Sequence, residues 1–312
     1  MKTLKIIHGI ALVLVCGMAA TLKGQNIYVA NYGNNTIGEY GPDGSTVNAS
    51  LVSSGLAGPV GIAISGNDLF VANFDDGSQG SPVGEYTTSG AVVNTLLITA
   101  LTGAYDVAIS GNDVFASCEG LSNDQRDGFV GEYTTLGGTV NSPLISPFIY
   151  PAGIAISGSD LFVATYLSPA GGPGKIAEYT TSGAVVNTSL ITGLDNPYEI
   201  AISGNDLFVV STDGSIGEYT LSGATVNASL ITGLNQPRGI AISGNDLFVA
   251  NNGNGTVGEY TTSGATVNAS LITGLNAPAG IAIGPVPEPS TGALAGVGVA
   301  ALWLWLRRKE MR

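Results

Sequence analysis

Two carboxylates, two tyrosines and an arginine interrupt a sequence that otherwise repeats itself. The twelve residues GIAISGNDLFVA stand at Gly61–Ala72 and again at Gly239–Ala250, with looser copies at Asp106–Ser117, Gly153–Ala164 and Glu199–Val210. The opening position of this element is Gly61, Gly153, Gly239 or Gly280 in four copies, but Asp106 and Glu199 in two others. The residue before it is Val60, Ala152 or Ala279 in three copies, but Tyr105, Tyr198 and Arg238 in the remaining three. If the copies surround an axis, these polar and aromatic groups converge, and such convergence is the make-up of a ligand site. Asp106 and Glu199 are also candidate oxygen ligands for calcium or magnesium.

Other chemistries are excluded by what the chain lacks. Its single histidine is His8, so beyond the first residues no imidazole is present for acid–base work or for zinc. Cys118 has no such base beside it and reads as an inert loop thiol rather than a nucleophile.

The elements that carry these residues follow from the repeat. GIAIS and DLFVA are short apolar runs separated by Ser-Gly-Asn, which reads as two strands joined by a tight turn. A loop, a third strand ending in Glu-Tyr, a Thr-Ser-Gly turn and a fourth strand complete the unit, and no helical period appears between Gln25 and Ile283. The Glu-Tyr pair occurs six times, at Glu39, Glu85, Glu132, Glu178, Glu218 and Glu259, each followed by tyrosine. The chain opens on a second strand near Ile27 and finishes on a first strand at Gly280–Ile283, so the two ends complete one unit together. A four-stranded unit repeated six times, with its ends paired, predicts an all-β, six-bladed β-propeller of antiparallel blades. An open stack would need polar capping repeats, which are missing. The six glutamates are expected to bond neighbouring strands or turns. The aspartates of Asn-Asp (or Ser-Asp), including Asp68 and Asp113, are expected to cap their own hairpins. Asn-x-Ser/Thr triplets at Asn48, Asn187, Asn227 and Asn268 are expected to reflect local packing rather than glycosylation.

Charge narrows the partners. Between Gln25 and Val286 only Arg126, Lys175 and Arg238 oppose twenty-one acidic residues, a formal charge of −18. Such a body repels phosphate backbones, so nucleic acid is excluded as a partner.

The two ends read as addresses. Residues 1–24 have the basic start, apolar stretch and small residues of a secretory signal peptide, with Cys16 as an alternative lipoprotein cysteine preceded by the bulky Val15. Residues 25–284 form the propeller, and residues 285–312 a tail. That tail runs from Pro287-Glu288-Pro289 through the uncharged Ser290–Leu306 to Arg307-Arg308-Lys309. A helix over Gly292–Leu306 would be about 22 Å long, a short transmembrane helix with its basic end held in the cytoplasm.

Three resemblances add to this reading. GIAISGNDLFVANNGNGTVGEY and NIYVANYGNNTIGEY resemble the NHL-repeat and YVTN-type propellers, which implies the same fold and, most often, a binding role. The tripartite tail resembles the PEP-CTERM sorting signal of Gram-negative bacteria. It implies recognition by an exosortase-type protease and delivery to the cell surface or extracellular matrix, with membrane anchoring through the helix before the tail is processed. The expected function is an exported binding or matrix module whose partners are extracellular polysaccharide or a surface protein. The alternative is a metal-dependent hydrolase resembling the gluconolactonase-type propellers, in which Asp106 and Glu199 would be two metal ligands at the channel mouth. Calcium as a structural plug also stays open, and no other cofactor is expected. The rim candidates are Tyr105, Asp106, Tyr198, Glu199, Arg238 and Arg126. Arg126 lies in the long loop Ser117–Gly128 with Glu119, Asp124 and Asp127, while the loop Asn73–Ser81 adds Asp75 and Asp76.

Overall fold

The computed structural model describes residues 25–74, 80–120, 127–148, 150–166 and 172–285. Within them, twenty-four strands form six four-stranded antiparallel sheets. Each sheet is one blade. In blade I the C-terminal strand Pro278–Pro285 lies innermost, followed outward by Gln25–Asn31, Thr36–Tyr40 and Thr46–Val52. Blades II to VI follow in chain order and begin at their innermost strands: Pro59–Ser65, Ala104–Ser110, Pro151–Ser157, Pro197–Ser203 and Pro237–Ser243. Ile27 pairs with Ile283 and Val29 with Ile281, so the two ends of the chain seal the ring as expected. The innermost strands pack one against the next around the full circle.

The core consists of apolar layers between blades rather than one central cluster. Leu69 and Val71 face blade I, packing with Tyr28, Ile37 and Val52. Phe70 and Ala72, from the same strand, face blade III and pack with Val107 and Val114. A strand buried on both faces reads as a continuous apolar run, which is why LFVA does not alternate. The hairpin between the first two strands is equally regular. Gly66, the first central residue of Ser-Gly-Asn, has φ 60, as a two-residue II′ connection requires.

The outermost strands are exposed along most of their length, and each is bulged against its neighbour. The Asn-x-Ser triplets belong to these bulges. Asn48 Oδ1 accepts the backbone N–H of Ser50 at 3.1 Å, and Asn227 Oδ1 accepts that of Ser229 at 3.1 Å. The asparagine thus serves an N–H that the bulge would otherwise leave open.

Candidate ligand site at the channel mouth

Loops from the second to the third strand meet loops from the fourth to the first on a single rim. Phe74 N–H donates to Gly58 at 2.9 Å, Ser81 N–H to Leu101 at 3.0 Å and Glu119 N–H to Gly103 at 3.0 Å. This rim surrounds the mouth of the axis, and the residue that opens each innermost strand stands just inside it.

Glycine at that position lets neighbouring blades approach. A Cβ on Gly61 would lie 2.5 Å from Asp106 Cα, and one on Gly153 would lie 2.6 Å from Glu199 Cα. Asp106 and Glu199 fill the same position in blades III and V, so the glycines of adjacent blades make room for them. Asp106 is buried and tied down by backbone donors. Its Oδ1 accepts Val107 N–H at 2.8 Å and its Oδ2 accepts Ile154 N–H of blade IV at 2.8 Å. Behind it, Ser117 Oγ receives the Asp106 N–H at 3.1 Å and donates to Ala152 O at 2.6 Å. Glu199 reaches across Gly153 to Asp106 and stands close enough to share a proton with it.

Burial is the main cause of the shifts in both acids. It lifts the Asp106 carboxyl to about 6, against the pull of the Ile154 and Val107 N–H groups. Glu199 leaves some accessible surface inside the channel, yet protein encloses it. Burial and then the Asp106 charge push it well above the usual carboxylate range. Of the two, Asp106 is the acid that ionises first and Glu199 the one that keeps its proton to higher pH.

Above the acids lies an aromatic chain. Phe74 and Tyr105 meet edge to face at 5.0 Å between ring centroids, as do Tyr105 and Tyr198 at 5.3 Å. The guanidinium of Arg238 lies 5.4 Å from the centre of the Tyr198 ring, a cation–π contact. No carboxylate among the described residues forms an ion pair with Arg238. Tyr198 is 7% exposed, and its hydroxyl approaches that of Tyr105 without forming a hydrogen bond. No other described polar atom serves it. The two other buried side-chain oxygens in that condition, Asn31 Oδ1 and Asn251 Oδ1, end second strands in blades I and VI.

The structure thus brings Tyr105, Asp106, Tyr198, Glu199 and Arg238 together. Arg126, Asp75, Asp76 and Asp124 lie outside the described residues, as do Pro287, Glu288, Pro289, Arg307, Arg308 and the helix expected over Gly292–Leu306. Among the described residues, no helix is long and apolar enough to cross a membrane. Two contributors, Phe74 and Ser117, escaped the sequence reading. Ser117 had a signal, because the matching residue is alanine in four other copies (Ala30, Ala72, Ala164 and Ala250) and it pairs directly with Asp106.

Cys118 ends a buried strand rather than lying in a loop, and burial pushes its thiol up to about 12, which keeps it unreactive. The aspartates at the hairpins also stand beside glutamates. Asp68, Asp113, Asp160 and Asp206 add to the burial that raises Glu85, Glu132, Glu178 and Glu218. In blade I asparagine replaces the aspartate, and Asn26 Nδ2 donates to Glu39 Oε1 at 2.6 Å.

Sequence matches agree with this architecture at two places. Residues 234–260 match the NHL repeat, and residues 285–309 match the PEP-CTERM protein-sorting motif. The chain is a six-bladed β-propeller carrying an NHL repeat and a PEP-CTERM motif. That motif implies export and surface sorting by exosortase-type machinery. No curated protein matches the chain significantly. Among solved structures, the propeller is similar to a chain of the nidogen/laminin complex, at 14% identity and TM-score 0.68 over 84% of this chain and 99% of that one. A functionally unknown protein from Desulfotomaculum acetoxidans is 17% identical, with TM-score 0.56 over 84% and 99%. A gluconolactonase from Xanthomonas campestris is 15% identical, with TM-score 0.56 over 70% and 76%. At these identities the likeness is one of fold.

The acids do not fit a divalent cation. Both Asp106 oxygens already accept backbone N–H groups, and burial favours the neutral form of Glu199. Among the described residues, no third histidine, cysteine, aspartate or glutamate joins them. A hard cation needs six or more oxygens, several of them anionic.

Proposed function

We propose that the exported propeller is a binding module of the cell surface or extracellular matrix, with its ligand site at the channel mouth. The observation that supports this most is the replacement of two inner glycines by Asp106 and Glu199 beneath Tyr198, whose buried hydroxyl has no partner. Buried polar groups are nearly always paired, and an orphan at a rim of aromatic and charged groups fits a ligand that completes it. The formal charge of −18 turns polyanions away and leaves neutral or singly charged ligands. A metal-dependent hydrolase has less support, since the donor set does not suit the ion.

The test is sedimentation of the purified exported protein with the extracellular polymer fraction of its own cells. Wild type should pellet with the polymer, and the double variant Tyr198→Phe/Glu199→Gln should remain in the supernatant. Equal behaviour of the two would refute a site at the mouth.

A further inference from the structure

Arg238 is one of three basic residues among twenty-one acidic ones in the propeller, yet no described carboxylate pairs with it. In a body so acidic, a guanidinium without a described carboxylate partner beside a ligand site stands out. It is held over the Tyr198 ring at the edge of the mouth. The Tyr198 hydroxyl lies in the same cluster, buried beside Tyr105 and without a hydrogen-bond partner of good geometry. The two donors are fixed by different elements: Arg238 opens the innermost strand of blade VI and Tyr198 that of blade V. Two rigid donors, one of them cationic, match the oxygens of a carboxylate. Beneath them, burial favours the neutral form of Glu199, which lowers the local repulsion that an incoming anion meets.

Resting on the mouth as the ligand site, we propose that Arg238 and the Tyr198 hydroxyl bind a single carboxylate group of the ligand. The ligand is small or presents an isolated carboxylate, because a polyanion would meet the field of the acidic body. A sugar acid and the free end of a peptide share this chemistry.

Isothermal titration of the exported protein with sodium glucuronate, glucose and N-acetylalanine separates the cases. At least one carboxylate should bind ten times or more tightly than glucose. Arg238→Gln should abolish that preference, Arg238→Lys should keep part of it, and Tyr198→Phe should weaken it several-fold. Glucuronate alone binding identifies a sugar acid, and both acids binding alike identifies the carboxylate as sufficient. Equal affinity for glucose and glucuronate, an unchanged preference in Arg238→Gln, or no binding of either acid overturns the inference. In those outcomes the mouth itself still stands if polymer sedimentation depends on Tyr198 and Glu199.

Discussion

Asp106 Oδ2 accepts a 2.8 Å hydrogen bond from the backbone N–H of Ile154, which lies one blade away and 48 positions later in the chain. One side chain thus joins the innermost strands of blades III and IV at the axis. Removing it leaves two buried N–H groups, those of Val107 and Ile154, without acceptors. Asp106→Ala is expected to cost about 2–4 kcal/mol, because each hydrogen bond to a charged group contributes roughly 1.5–3 kcal/mol and part is recovered by relaxation. Asp106→Asn, which keeps an acceptor, should cost less than half as much. Urea unfolding followed by circular dichroism measures both, and an unchanged midpoint in Asp106→Ala would contradict the assigned bonds.

Acidity should stabilise the fold. Asp106, Glu199 and the four glutamates Glu85, Glu132, Glu178 and Glu218 all have raised pKa values in the folded state. A raised carboxyl contributes stability that is full below its unfolded value, near 4, and is lost as pH climbs through the folded value. The urea midpoint is therefore expected to be higher at pH 5 than at pH 8. Glu199→Gln should flatten part of this slope by gaining stability relative to wild type at pH 8. A midpoint that rises with pH would refute the reading.

Close approach at the axis makes Gly153 intolerant of a side chain. Gly153→Ala places its new Cβ 2.6 Å from Glu199 Cα, a backbone atom that cannot swing aside. Overpacking of this kind costs about 1–3 kcal/mol. Because the strain falls on Glu199, polymer binding should drop along with stability. Thermal melts and sedimentation on the same variant check both outcomes.

Ring closure predicts an asymmetry between two truncations. Ending the chain after Pro285 keeps every strand and should leave the unfolding midpoint unchanged. Ending it after Asn276 removes the innermost strand of blade I and exposes Ile27, Tyr28 and Val29, which are otherwise fully buried. That variant is expected to aggregate or to fail to accumulate, measured as yield of soluble exported protein.

Most of the fold was legible because the repeat advertises itself. Gly61–Ala72 and Gly239–Ala250 do the same packing in blades II and VI, and identical work allowed identical residues to persist. The mouth was legible wherever a copy departed from the rest, as at Tyr105, Asp106, Tyr198, Glu199 and Arg238. Contacts between departures were not. That Glu199 reaches Asp106 over Gly153 depends on the diameter of the inner ring, which no single copy encodes. Nor could sequence register show that the Tyr198 hydroxyl lacks a partner, since that depends on the tilt of the Tyr105 ring. The surroundings of the hairpin aspartates were hidden for a related reason. Their turn position suggested capping and said nothing of the third strand, which places a glutamate beside each of four of them.

Both ends of the described chain leave the propeller on one side. Gln25 pairs with Pro285, and its Oε1 accepts a 2.5 Å hydrogen bond from Ser243 Oγ in the turn at the far end of the axis from Tyr198. Pro285, the last described residue, consequently stands at the floor of the ring. Chain joined at either end of the described residues therefore starts from the side opposite the proposed mouth.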